Sequence, residues 1–226
     1  MGGLVKLSYP EGATPIDDLS DLKPAWVKIQ EDLNNVEAEN IAAASSKYLL
    51  KSVSHPPKWF NIPFLQKIHY DMFHDVWQWA GQFRKTQTCP GIKPHQIYLA
   101  LVDLCDDVHY WCQERCDLTI IEQAARIHHR LVFIHPYPNS NGRFSRLVSD
   151  RYLKACKTPF PNWPVDLNKD GQSRTKYITA LKKADVGDYE PLIFFMTEHS
   201  TNSRRITQIL SKKLEENRRT EAQPKP

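Results

Sequence analysis

The sequence predicts an all-α domain interrupted by one small β-hairpin, and three features carry that reading. Apolar residues recur at helical spacing along most of the chain. Glycine is scarce, 8 in 226 residues, and long stretches lack turn signals, which argues against a sandwich or barrel. Residues 82–98 break the pattern with clustered turn residues between short β-capable pieces. The length suits one domain with appendages, and an apolar content of 41% suffices for a buried core.

Residues 1–24 carry Pro10, Gly12, Pro15 and Pro24 and read as an extended arm. A helical domain follows over residues 25–199. Its first helix runs from about Lys28 to about Lys51, with Leu33, Val36, Ile41 and Leu49 among its apolar positions; Pro56 and Pro57 end the segment. A second runs from Pro63 to Trp79, buries Phe64, Ile68, Met72, Phe73 and Val76, and stops at Gly81. Residues 84–98, with Thr86, Thr88, Pro90, Gly91 and Pro94, are assigned to the hairpin. Leu99 to Arg115 returns to helical period. Thr119 with Glu122 three residues on is a capping box that opens a helix through about Ile134. Pro136 and Pro138 break it, and a helix resumes from about Arg143 to Ala155. Residues 157–172 are Pro- and Asn-rich loop. Shorter helices fit Arg174–Ala184 and Asp188–His199, the latter with Pro191 near its first turn. Residues 200–226 form a last amphipathic helix (Ile206, Ile209, Leu210, Leu214) and a polar, frayed tail.

Thirty Lys and Arg against 26 Asp and Glu leave a net +4, most of it in the last thirty residues, so the body is nearly neutral and nucleic acid is an unfavoured partner. The basic tail reads as a solvated face, a homodimer contact or a weak polyanion site. Five cysteines form no C-x-x-C pair; Cys105, Cys112 and Cys116 share a helix face and read as core residues rather than a zinc site. The start has no basic segment followed by an apolar one, and no apolar run approaches a membrane span. A reducing cytoplasm is the expected compartment.

The chemistry concentrates in His135-Pro136-Tyr137-Pro138-Asn139-Ser140-Asn141-Gly142-Arg143-Phe144-Ser145-Arg146. This is a helix end, a tight polar loop and a helix start. Unpaired N–H groups at a helix N-terminus, with the positive end of the dipole behind them, make an anion site. Gly142 lets a phosphate approach the backbone. Arg143 and Arg146 stand three apart, so both guanidinium groups can reach one polyphosphate. His135 enters the same loop, and an imidazole suits a general base near neutral pH.

The segment resembles the Fic/Doc signature H-x-F-x-(D/E)-(G/A)-N-(G/K)-R-x-x-R at His135, Asn141, Gly142, Arg143 and Arg146, with Tyr137 for Phe. YPEGATP, DVWQWAGQFR and HPYPNSNGR are similar to the Fic branch named mobile mystery protein B, a likeness spanning roughly residues 8–195. The resemblance implies a Fic-type helical domain that moves AMP from ATP to a Ser, Thr or Tyr hydroxyl of a target protein, self-modification included. His135 would deprotonate the hydroxyl. Ser140, Asn141, Gly142, Arg143 and the loop amides would hold the phosphates, with Arg146 at the γ-phosphate. Arg84, Thr86, Thr88 and Ile97 would belong to a flap that binds the target by strand pairing.

Two positions depart from the family pattern. Asn139 stands where Asp or Glu ligates Mg²⁺ (or Mn²⁺), so an uncharged amide oxygen replaces a carboxylate and metal affinity should fall. Ser140 replaces Gly or Ala. The family's inhibitory motif, (S/T)-x-x-x-E-(G/N), matches Asn35 to Asn40 with Glu39 in register and Glu37 as the alternative; its Glu would pair with Arg146. A weakly catalytic nucleotide-binding regulator and a Fic enzyme transferring another group are the competing readings. His69, His74, His128 and His135 also allow a metal cluster, against which core or hydrogen-bonded histidines are the favoured account. Trp77 and Trp79 read as packing anchors.

Overall fold

Among the described residues, seven α-helices form where the apolar period runs: α1 (Gln30–Leu49), α2 (Ile62–Phe73), α3 (Ile97–Trp111), α4 (Ile120–Ile134), α5 (Asn141–Ala155), α6 (Gln172–Ala184) and α7 (Glu190–Glu198). The computed structural model describes residues 19–50, 59–113, 116–168 and 170–198. Most of the expected arm and the whole C-terminal helix and tail lie outside the described residues.

α4 and α5 are the central pair, joined by the loop 135–140 that carries the signature. Phe144, Leu147, Val148, Tyr152 and Leu153 of α5 and Ala124, Ile127, Leu131 and Ile134 of α4 are buried in the core. α1 and α2 pack on each other and both reach α5, α3 and α7 flank α4, and α6 packs on α7. Thr119 caps α4 by accepting the Glu122 N–H at 3.4 Å, but Glu122 pairs with Arg126 at 3.1 Å, so half of the capping box forms. α1 is tied to α5 near its end through Arg151, whose Nη1 donates to Tyr48 O at 2.7 Å with its guanidinium over Tyr48, Trp59 and Phe64.

α2 ends at Phe73, six residues before the predicted Trp79. The chain leaves the helix to pair with residues 21–23: Lys23 N donates to Val76 O at 2.8 Å, Gln78 N to Asp21 O at 2.9 Å, and Leu22 bridges Trp77. Distant backbone partners thus outcompete the next helical turn.

The expected hairpin does not form. Residues 82–93 are irregular, Pro94–Gln96 make a 3-10 turn, and Ile97 opens α3; no strand ladder occurs among the described residues. Pro90 and Pro94 supply no N–H to a ladder. The buried Arg84 guanidinium takes the carbonyls of Thr86 and Ile92, one from each limb of the expected hairpin. Ile97 is 1% exposed and belongs to the core, so it presents nothing to a target.

Candidate active site

The loop between α4 and α5 is held in a left-handed conformation at both ends, His135 at φ 53° and Ser140 at φ 65°. Each such non-glycine residue costs roughly 1–2 kcal/mol, so surrounding contacts must enforce the shape. The buried Asn141 amide spans the loop, accepting from Tyr137 N at 3.0 Å and donating to Tyr137 O at 2.9 Å. The Tyr137 ring is fully buried, stacked on His69 at 3.6 Å and set edge-on to Phe144 at 5.0 Å. His69 Nδ1 accepts Gly81 N–H at 3.0 Å and its Nε2 faces Asn139 O at 3.4 Å, so the neutral tautomer that donates to the loop satisfies both contacts. Burial pushes the His69 pKa down to about 3, which keeps that tautomer neutral.

His135 is 6% exposed and closes the C-terminus of α4. Its Nδ1 lies 3.2 Å from Val132 O, which assigns the proton to Nδ1 and leaves Nε2 with its lone pair. Burial lowers its pKa to about 4, opposed by the Val132 hydrogen bond and reinforced by the charge of Arg84. The ring is therefore a neutral proton acceptor near pH 7.

Across the loop, α5 begins with no side-chain cap at its N-terminus. A helix leaves its first N–H groups without intrahelical partners, and here they open on the loop. A Cβ on Gly142 would meet nothing nearer than Arg146 Nη1 at 3.9 Å, so glycine leaves room for a ligand rather than relieving a clash. Arg143 reaches Ser140 Oγ with Nη2 and Glu37 Oε2 with Nη1 at 2.7 Å. Glu37 is buried, and its Oε1 accepts Trp77 Nε1 at 2.8 Å. Arg146 hydrogen-bonds Tyr177 and lies 5.9 Å from the Trp163 ring centre. Trp163 Nε1 in turn donates to the Asp150 carboxylate at 3.0 Å.

Thus His135, Ser140, Asn141, Gly142, Arg143 and Arg146 gather around one loop, while the inhibitory-motif residues part company. Glu39 is exposed, and the carboxylate that reaches the loop is that of Glu37, two residues upstream. A spacing of two turns the pair to different sides of α1, and only burial distinguishes them. Asn141 spends both ends of its amide on the loop backbone. Thr86 is exposed and Thr88 half-buried, with its hydroxyl on Pro90 O at 2.9 Å. Arg84, assigned to a target-facing flap, is 3% exposed and grips the end of α4 instead. Trp77, expected as a packing anchor, and His69, expected as a core or hydrogen-bonded histidine, also hold the site, through partners far along the chain that local sequence does not show.

The donor set suits an anion and suits a protein-held divalent cation poorly. Asn139 Oδ1 accepts from Ser140 N at 2.6 Å and Ser140 Oγ at 3.2 Å, and carries no charge. The carboxylate that reaches the site from α1, Glu37, is bound to Arg143 and Trp77. No group of three or more His, Cys, Asp or Glu fit to hold a metal occurs among the described residues.

The family description Fic/DOC matches residues 59–153, which hold the loop, the histidine and both arginines. Protein adenylyltransferase fic-1 of Caenorhabditis elegans is 34% identical over 130 residues, covering 55% of this chain and 24% of that protein. Protein adenylyltransferase Fic of Drosophila melanogaster is 35% identical over 123 residues, covering 53% of this chain and 23% of that protein. The chain thus spans about a quarter of the length of the curated relatives it matches. Among solved structures, Fic-1 (aa134–508) from C. elegans superposes with a TM-score of 0.63 at 23% identity, covering 80% of this chain and 53% of that one. The N-terminal Fic domain of a cell filamentation protein from Bartonella quintana, with bound ADP, gives a TM-score of 0.58 at 20% identity, covering 79% and 89%. These two likenesses concern the fold. Over residues 59–153, this chain matches the Fic/DOC family description, and its fold is that of Fic domains.

Proposed function

We propose that the chain is a protein adenylyltransferase that moves AMP from ATP to a Ser, Thr or Tyr hydroxyl of a protein. The observation that carries this is a buried, neutral His135, its Nδ1 committed to Val132 O, across a short loop from an uncapped helix N-terminus that carries two arginines. Relatives bearing the name protein adenylyltransferase support it.

In the proposed reaction His135 Nε2 takes the proton of the target hydroxyl. The freed oxygen attacks the α-phosphorus in line, forming a P–O bond while the bond to the bridging β-phosphate oxygen breaks and pyrophosphate leaves. The loop N–H groups, Gly142 and Arg143 hold the phosphates, and Arg146 takes the γ-phosphate end. The protein's contribution is positioning, charge stabilisation and one proton transfer. Mg²⁺ or Mn²⁺ would arrive with the nucleotide phosphates, since Asn139 offers only an amide already engaged by Ser140. The loop 84–93, with Thr86 on its surface, is the part of the former flap left to meet a target.

We read Glu37 as a brake, because its ion pair draws Arg143 away from a nucleotide. Asn139 and the Glu37–Arg143 pair together favour one second reading, a nucleotide-binding regulator with little turnover. Self-modification belongs to the first reading. Among the described residues no helix is long and apolar enough to cross a membrane. The five unpaired cysteines suit a reducing compartment.

Incubating the chain with ATP labelled at either the α- or the γ-phosphate, read by intact mass, separates the outcomes. Label from the α-position with the mass of AMP supports adenylylation. Label from the γ-position overturns it, and saturable ATP binding with no mass gain leaves the regulator.

A further inference from the structure

We propose that Arg84 is the positioning residue of the base, fixing His135 by clasping carbonyls on both sides of it. The proposal rests on the reading of His135 as the general base. Arg84 Nε donates to His135 O at 2.6 Å, Nη2 to Ile134 O at 3.3 Å and to Ile92 O, and Nη1 to Thr86 O at 2.8 Å; its own backbone N–H donates to Pro136 O at 2.9 Å. One side chain therefore satisfies the last carbonyls of α4, where the negative end of the helix dipole lies, and pins both limbs of the loop 84–93 over them.

This contact set answers two requirements of the site. His135 occupies a left-handed conformation that a non-glycine residue does not hold by itself, and the bonds to the carbonyls of residues 134, 135 and 136 fix the backbone around it. The charge beside the imidazole also opposes imidazolium formation, so the ring waits as an acceptor. The other groups around the ring do not replace it. α4 offers the Val132 carbonyl, and Arg143 of α5 is engaged by Glu37 and Ser140. The packing allows no substitute for the fork. A Cβ on Gly91 would lie 2.7 Å from Arg84 Nη2 and 3.0 Å from His135 Cβ, so loop, guanidinium and base are in direct contact. A lysine brings charge but a single nitrogen, which cannot span four carbonyls.

The test compares the full chain with Arg84→Lys and Arg84→Gln by thermal melting, by NMR titration of the His135 ring (assigned against His135→Asn), and by transfer from α-labelled ATP. In Arg84→Gln the His135 titration should rise in pH and kcat should fall about ten- to a hundredfold, with KM for ATP within about threefold. Arg84→Lys should keep the low titration and recover only part of kcat. An unmoved His135 titration in Arg84→Gln, or a loss of transfer no larger than the loss of folded protein, overturns the proposal. Should Arg84→Gln not fold, full kcat in folded Arg84→Lys overturns it. A parent that transfers nothing removes the adenylyl reading, while the titration still decides Arg84.

Discussion

Glu37 Oε2 lies 2.7 Å from Arg143 Nη1, and that ion pair joins the first helix to the first turn of α5 across 106 residues of sequence. The carboxylate is 5% exposed and its other oxygen is held by Trp77, so the pair is fixed at both ends. Arg143 must leave it, or share it, to serve a polyphosphate. Glu37→Gln keeps an acceptor for Trp77 and frees the arginine. A charge-assisted contact contributes about 1.5–3 kcal/mol, so ATP affinity and transfer should rise roughly tenfold to a hundredfold, read by calorimetry and intact mass. Glu39→Gln should change neither. Activation by Glu39→Gln alone would return the brake to the exposed residue.

Replacing the proposed base, His135, is best done with asparagine, which tolerates the left-handed conformation that alanine resists. His135→Asn should lower transfer by about 10²–10⁴-fold and leave ATP affinity within about twofold. Transfer at the parent's rate would remove His135 from proton abstraction.

Asn139→Asp should lower the Mg²⁺ concentration for half-maximal activity, because one carboxylate oxygen can keep the Ser140 N–H while the other faces the loop as a charged hard-cation ligand. An unchanged or higher requirement would show that this side chain does not meet the ion.

Tyr137 carries a fully buried hydroxyl with no hydrogen-bond partner among the described residues. An unsatisfied buried polar group costs about 1–3 kcal/mol, so Tyr137→Phe should stabilise the fold by about 1 kcal/mol in a denaturant titration, with the His69 stack preserved. A loss of stability would mean that the hydroxyl has an acceptor.

Stability should peak near pH 6.5–7. Burial lowers His69 and His128 to about 3 and His135 to about 4, below the ordinary 6.5, so the unfolded chain binds more protons and stability is lost as pH falls from 6.5 towards 3. Burial raises Asp150 from 3.8 to about 8, despite the Trp163 hydrogen bond and the Arg146 charge, so its contribution is fully present below 3.8 and lost as pH rises through 8. The three histidines, joined by His129, which burial also lowers, outweigh Asp150 on the acid side, and the loss through Asp150 continues from 6.5 to 8. Melting temperature against pH should trace this dome, and Asp150→Asn should flatten its alkaline side. An alkaline side unchanged in that variant would assign the loss to another group.

The sequence alone determined most of the described helices and the loop between α4 and α5, because both are local. A 3.6-residue period with caps is written in neighbouring residues, and so is a histidine, a glycine and two arginines within twelve positions. Only the tertiary structure decided what those groups do to one another. Glu37 and Glu39 are equivalent carboxylates on one helix until packing buries the first against Trp77 and leaves the second in water. Arg84 follows a tryptophan-rich turn in a segment whose residue types suit a hairpin. Its guanidinium is instead drawn to the unsatisfied carbonyls at the end of α4, fifty residues on, and the ladder gives way. A buried charge takes the partners that the fold brings to it, and sequence distance places no limit on which ones those are.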